Sequence, residues 1–131
     1  MSELRWLLSL LSPVLALASC FVLAVLGTHA LDRLCPPQAW VSGACTAAWY
    51  PGAEQAAYVL AAFVGALLFV WLPAWLAPAQ RPRVAALACG AGLTFTALFA
   101  WQAGGGLLLP AAAAVAGGLL ALWLAGRPRA R

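Results

Sequence analysis

The 131-residue chain is 66% hydrophobic and only 8% charged, with a formal net charge of +4 and a mean hydropathy of +0.96. Soluble domains carry about 25% charged residues, so this composition excludes an ordinary soluble domain and also a disordered chain. The length suits one compact domain, which we place over residues 1–131. The composition therefore predicts a single integral membrane domain.

Four segments are long and apolar enough to cross the hydrocarbon core of a bilayer, which takes about 20 apolar residues in a helix. They run over about 6–26, 56–76, 84–103 and 107–125, and none of them contains a charged residue. Short connections join the second, third and fourth segments, and such links favour antiparallel neighbours. The predicted fold is an all-α, up-down antiparallel bundle of four transmembrane helices, which helix 1 closes.

Small residues recur at four-residue spacing in three of the predicted helices. These rows are Ala57, Ala61 and Gly65 in helix 2, Ala88 and Gly92 in helix 3, and the pairs Ala113–Gly117 and Ala114–Gly118 in helix 4. Such rows let membrane helices approach each other closely. We favour packing within the bundle, because a small bundle must first pack its own helices. The alternative is self-association or binding of a partner protein through the same faces.

Arginine placement predicts the orientation in the membrane. Six of the seven arginines flank the ends of spans: Arg5, Arg81, Arg83, Arg127, Arg129 and Arg131. In a four-span chain these sites share one side, and the positive-inside rule places that side, with both termini, in the cytoplasm. The absence of Lys, Asn and Ile is typical of a GC-rich bacterial genome. We therefore expect a bacterial inner-membrane protein with its loop 27–55 in the periplasm.

The loop over residues 27–55 is the longest connection and holds most of the polar side chains. Loops longer than about 12–15 residues tend to be structured or functional. Pro36 and Pro37 favour the start of a short helix that Gly43 ends. The aromatic side chains of this loop suit the membrane interface and predict a cap over the bundle that a partner could bind, formed by Trp40, Trp49 and Tyr50.

Cys35 and Cys45 lie in this loop, on the predicted oxidising side of the membrane, and we expect a structural disulfide between them. On the loop-entropy model, such a link stabilises the cap by about 2–3 kcal/mol. Cys20 and Cys89 differ in predicted depth by roughly 10 Å, which is beyond the reach of a disulfide. The external pair is therefore the predicted bridge.

Two other interpretations of these cysteines remain open. The helix count and the external cysteines are similar to those of four-helix membrane oxidoreductases of the DsbB and vitamin K epoxide reductase type. Those families use a Cys-x-x-Cys pair and a second cysteine pair, whereas nine residues separate Cys35 from Cys45 and no second external pair exists. A metal site formed with His29 and Asp32 is the other alternative, but the spacing matches no standard zinc pattern. We expect no metal and no cofactor.

The predicted membrane interior contains no ionisable side chain, which disfavours a proton-coupled transporter. We find no nucleophile–base pair and no phosphate-binding loop, which favours a non-enzymatic protein. We also find no nucleic-acid-binding patch. The leading hypothesis is a non-enzymatic accessory subunit of a larger membrane complex. The first alternative is a small oligomeric transporter or lipid flippase, whose sign is a polar cavity lined by Ser12, Thr94 or Gln102. The second is a periplasmic thiol–disulfide redox protein.

Overall fold

The computed structural model describes residues 2–77 and 80–127. Four helices form most of this part of the chain: α1 (Ser2–Leu34), α2 (Tyr50–Leu76), α3 (Arg81–Ala103) and α4 (Leu108–Gly126). All four are long and apolar enough to cross a membrane. The chain is therefore a small multi-pass membrane protein, and the four predicted helices are confirmed.

The first two helices extend well beyond the predicted spans. Helix α1 continues from position 26 to Leu34, and α2 begins at Tyr50 instead of position 56. The predicted loop over 27–55 therefore shrinks to residues 35–49. Polar side chains mark the end of the apolar stretch, but they do not end a helix: the Thr28 hydroxyl donates to the Val25 carbonyl at 3.0 Å. Apolar length predicts the membrane thickness and not the helix end.

Between α1 and α2 the chain forms a 3₁₀ turn (Pro37–Ala39) and a small antiparallel hairpin of β1 (Trp40–Val41) and β2 (Ala44–Cys45). The short helix expected to start at Pro36 and Pro37 is present as this 3₁₀ turn, but it ends at Ala39, and the expectation that it reaches Gly43 is wrong. Ser42 and Gly43 form the two-residue hairpin turn with φ values of 52° and 82°. Positive φ at both positions is the geometry that hairpin loops favour, and Gly43 accepts it at no steric cost.

Helix α2 is the centre of the fold, since α1, α3 and α4 all pack against it. The row of small residues on α2 faces α1. A Cβ added at Gly27 would lie 3.2 Å from the Cβ of Ala57, and one at Gly65 would lie 2.6 Å from the Cβ of Cys20. Ala61, in the middle of this row, is buried. The row is therefore used for packing within the chain, as the favoured interpretation predicts.

A second close approach joins α2 to α4. A Cβ added at Gly117 would collide with the Phe63 backbone carbonyl, so the two helix backbones meet at this point. The neighbouring core cluster fills the space among α2, α3 and α4 and consists of Val70, Ala74, Ala85, Cys89 and Ala121. These three helices therefore form a compact unit, on which α1 packs from the α2 side.

Helix α1 does not close the bundle. Within residues 2–77 and 80–127, its extensive helix contacts are with α2 alone, whereas α3 and α4 pack on α2 and on each other. The expectation that helix 1 closes the bundle is therefore wrong. The physical reason is the small-residue row at Ala57, Ala61 and Gly65, which lets α1 approach one face of α2 closely.

Candidate functional site

A cleft of about 490 Å³ remains among the helices because, in the described part of the chain, α1 packs extensively on α2 alone. Residues of all four helices line it. They include Leu17 of α1, Phe69 of α2, Phe95 of α3 and Pro110 of α4. The packing of α1 on α2 therefore leaves this cleft among the four helices.

The lining combines small residues with aromatic rings. Gly65, Gly92 and Gly118 line the cleft, and a Cβ on Gly92 would lie 3.6 Å from the ring of Phe69. The rings of Phe95 and Phe99 stack with centroids 6.0 Å apart, and both side chains are more than half exposed. The cleft is thus lined by small residues and bordered by two exposed phenylalanine rings.

The cleft offers little to a polar ligand. Its lining contains one hydroxyl side chain, Thr96, which donates its hydrogen bond to the Gly92 carbonyl at 2.8 Å. A hydroxyl bonded to its own helix is satisfied and has no donor left for a ligand. The geometry therefore suits an apolar group and provides no chain of polar partners in the part of the fold described.

The three side chains expected to mark a transport cavity do not meet in this cleft. Ser12 is buried and donates to the Ser9 carbonyl at 2.7 Å. Thr94 donates to the Gly90 carbonyl at 2.9 Å, and Gln102 is exposed. None of the three lines the cleft. The predicted polar cavity is therefore not formed by these residues.

A disulfide and a side-chain hydrogen bond link the end of α1 to β2 and to the start of α2. A disulfide joins Cys35, just after α1, to Cys45 in β2, with a Cα–Cα distance of 6.1 Å. The Tyr50 hydroxyl donates to the Asp32 carboxylate at 2.6 Å and so links the start of α2 to the end of α1. The predicted disulfide is confirmed, and it consumes both thiols that a metal site would need.

The predicted cap residues differ in exposure. Trp40 and Trp49 are exposed, whereas Tyr50 is half-buried and engaged with Asp32. The Trp49 and Tyr50 rings lie 5.9 Å apart and are tilted by 57°. His29 is exposed in the last turns of α1. Trp40 and Trp49 are thus available to the membrane interface or to a partner, while Tyr50 acts within the chain.

The predicted topology arginines are only partly described. Arg81, at the start of α3, donates to the Trp75 carbonyl at 3.2 Å, and Arg83 donates to the Gln80 side chain at 3.4 Å. The Arg127 guanidinium lies 3.5 Å from the ring centroid of Trp123. Arg5 lies in the first turns of α1. Arg129 and Arg131 fall outside the described residues.

Two features were missed at the sequence level: the apolar cleft and the meeting of Arg81 with Arg127 in one pocket. The spacing of Phe95 and Phe99, four residues apart, indicates a shared helix face but not what that face borders. Both features depend on which helix packs against which. Comparison with family models, curated proteins and solved structures found no match to this chain.

Proposed function

We propose that this small multi-pass protein is a non-enzymatic accessory subunit of a larger membrane complex, and that its cleft receives an apolar transmembrane helix of the partner. The observation that carries the proposal is the cleft of about 490 Å³ beside α1, lined by small and aromatic side chains. A chain that leaves such a groove among its own spans offers a surface that another membrane segment can fill.

The chemistry of the lining favours a helix over a polar substrate. Glycine and alanine permit close approach of a neighbouring helix in lipid, where van der Waals packing drives association. Gly92 and Ala91 present such a surface on α3, and Phe95 borders it. The cleft is too small for a whole helix but holds several bulky side chains. A partner therefore inserts one apolar face, with residues three and four positions apart as anchors.

The alternatives have less support. A flippase or transporter needs polar partners along its route, and Thr96 is the one hydroxyl in the cleft lining. A thiol–disulfide exchange protein needs an accessible cysteine pair, whereas Cys35 is 8% exposed and bonded to Cys45. Burial shields a disulfide from attack by an incoming thiolate. We therefore assign this bond a structural role.

We further propose an up-down antiparallel arrangement of the four spans in a bacterial inner membrane. The arginine-rich ends, with Arg5, Arg129 and Arg131 among them, then lie in the cytoplasm. Residues 35–49 lie in the periplasm, where an oxidising environment maintains the disulfide. In this orientation, Trp40 and Trp49 lie at the outer interface and add a second, external contact for the partner.

The test compares two matched variants in α3. Ala91 lines the cleft and Ala97 does not, and both positions are exposed, so the isolated fold accepts a larger side chain at either. We expect a stoichiometric partner to co-purify in mild detergent with wild type and with Ala97→Phe, and to be lost with Ala91→Phe. Mass spectrometry identifies the partner, and crosslinking from position 91 maps its helix.

Three results would contradict the proposal. The first is purification of the chain alone, with no stable partner and with every membrane complex intact after its deletion. The second is equal loss of the partner in both variants, which indicates a contact elsewhere. The third is a crosslink from position 91 only to lipid or to a second copy of the chain.

A further inference from the structure

A second, basic pocket of about 240 Å³ lies at the opposite end of α2 from the disulfide hairpin. It is lined by the last turns of α2, the start of α3 and the end of α4. Two arginines, Arg81 at the start of α3 and Arg127 just after α4, border it together with Trp71 and Trp75. Residues that are far apart in the sequence thus place two permanent positive charges in one small pocket.

No carboxylate lines this pocket among the residues described. Of the three acidic residues of the chain, Asp32 and Glu54 lie near the other end of α2, which is about 40 Å long at 1.5 Å per residue, and Glu3 lies in the first turn of α1. Neither guanidinium is therefore paired with an acidic lining residue. Two cations that share a pocket repel each other, and an anion between them relieves this repulsion.

The contacts that each arginine side chain makes use only part of its hydrogen-bonding capacity. Arg81 uses one guanidinium nitrogen to bond the Trp75 carbonyl at 3.2 Å. Arg127 stacks the face of its guanidinium on Trp123, with its carbon atom 3.5 Å from the ring centroid. Stacking occupies the face, whereas the five N–H donors lie in the plane. The edge of the Arg127 fork therefore stays available for an oxygen ligand.

The tryptophans give the pocket an apolar wall beside its charge. The rings of Trp71 and Trp75 stack with centroids 6.0 Å apart and planes 19° apart, and Trp75 is about half exposed. Tryptophan is enriched at the level of lipid headgroups, and basic pockets between membrane helices suit acidic headgroups. The combination of paired guanidiniums and stacked indoles fits a phosphate group that carries an apolar or glycerol substituent.

We propose that Arg81 and Arg127 form a binding site for a phosphate group, with the two guanidiniums as donors to its oxygens. Planar guanidinium matches phosphate in a bidentate geometry, which gives specificity as well as attraction. The phosphate comes either from an anionic phospholipid or from a soluble phosphate compound. The phosphate site does not depend on the apolar cleft, so it is tested independently of the proposed partner.

The experiment measures binding to the full-length chain in detergent by tryptophan fluorescence and by native mass spectrometry. Phosphatidylglycerol, zwitterionic phosphatidylcholine and inorganic phosphate are titrated in parallel. Saturable binding of phosphatidylglycerol alone identifies a lipid headgroup as the source, and saturation by inorganic phosphate in a similar range identifies a soluble one. Either result supports a phosphate site.

The matched variants are Arg81→Gln and Arg83→Gln. Both remove one charge from the same end of α3, but Arg83 does not line the pocket. A hydrogen bond to a charged group corresponds to about tenfold or more in affinity, so Arg81→Gln and Arg127→Gln each weaken binding by about tenfold. Arg83→Gln changes it by less than about twofold, since it lacks that contact.

Two controls protect the interpretation. Arg81→Lys keeps the charge and loses the planar fork, and recovers only part of the affinity. Thermal unfolding without ligand shows whether each variant retains its fold, and Arg127→Gln replaces Arg81→Gln where it does not. Equal weakening by Arg83→Gln indicates diffuse surface charge and overturns the proposal. So does the failure of both phosphatidylglycerol and inorganic phosphate to bind.

Discussion

The Ser12 hydroxyl donates a hydrogen bond of 2.7 Å to the carbonyl oxygen of Ser9 inside α1. In a regular helix that carbonyl accepts from the N–H four residues later, which is the position of Pro13. Proline has no N–H, so Ser12 supplies the missing donor. Helix α1 consequently continues through Pro13 without a break.

Replacing Ser12 with Ala should leave the Ser9 carbonyl without this donor in a buried site. We expect a loss of about 1–3 kcal/mol in the free energy of unfolding, measured by thermal unfolding in detergent. Ser19→Ala is the control, because Ser19 bonds the Leu15 carbonyl, whose helical partner at position 19 is not proline. That variant should change stability by less than about 0.5 kcal/mol.

A double-mutant cycle sharpens this prediction. Pro13→Ala restores the N–H four residues after Ser9, so Ser12→Ala should cost markedly less in that background. Equal costs of Ser12→Ala with and without Pro13 would show that the hydroxyl does not replace the missing donor.

Gly117 and Gly118 are neighbours in α4 and should respond differently to the same change. A Cβ at Gly117 meets the Phe63 carbonyl, whereas a Cβ at Gly118 lies at an ordinary 3.8 Å from the Cys89 sulfur. We expect Gly117→Ala to separate α2 from α4 and to destabilise the fold by about 1–3 kcal/mol. Gly118→Ala should be neutral or slightly stabilising, because alanine favours the helix. Similar unfolding midpoints for the two variants would contradict the close approach at Gly117.

The Cys35–Cys45 bond should contribute to stability and not to a reaction. Cys35→Ser, Cys45→Ser and the double variant should each lose about 2–3 kcal/mol and lower the abundance of folded protein equally. The wild-type protein should lose a similar amount on reduction, while the variants should not respond to the reductant. Loss of a measurable cellular function at unchanged abundance would instead favour thiol exchange.

The proposed orientation is tested with single cysteines at two exposed positions, Val41 in the hairpin and Arg83 in α3. Val41→Cys should react with a membrane-impermeant reagent in intact cells, because the positive-inside rule puts the hairpin outside. Arg83→Cys should react only after permeabilisation. The native free cysteines, Cys20 and Cys89, lie within candidate spans, so the background should be low. The reverse pattern of labelling would reject the orientation.

The third and fourth helices and the disulfide were predictable because each depends on a short stretch of sequence or on one pair of residues. Predicted limits of 84–103 and 107–125 agree closely with Arg81–Ala103 and Leu108–Gly126. The hairpin was missed because two prolines also suit a helix start, and because a serine at position 42 does not by itself predict a positive φ. Proline and glycine restrict the backbone without selecting one element.

The candidate sites were less accessible to sequence reasoning than the spans. The rows at Ala57 and Gly65 predicted close packing, but they did not say which helix would use them. Their use by α1 leaves the cleft between α1 and α3, and the neighbourhood of Arg81 and Arg127 depends equally on helix order. Membrane helices are apolar on all sides, so periodicity carries little information about their partners.

The pairing of α1 with α2 alone has a consequence for biogenesis. Every extensive helix contact of α1 in the described chain is made with the segment that directly follows it. The first two helices can therefore dock, and the hairpin between them can be oxidised, while α3 and α4 are still being synthesised. Local contacts form early because little chain has to be ordered to make them. Helices α3 and α4 then assemble on α2, whose other side is already occupied by α1.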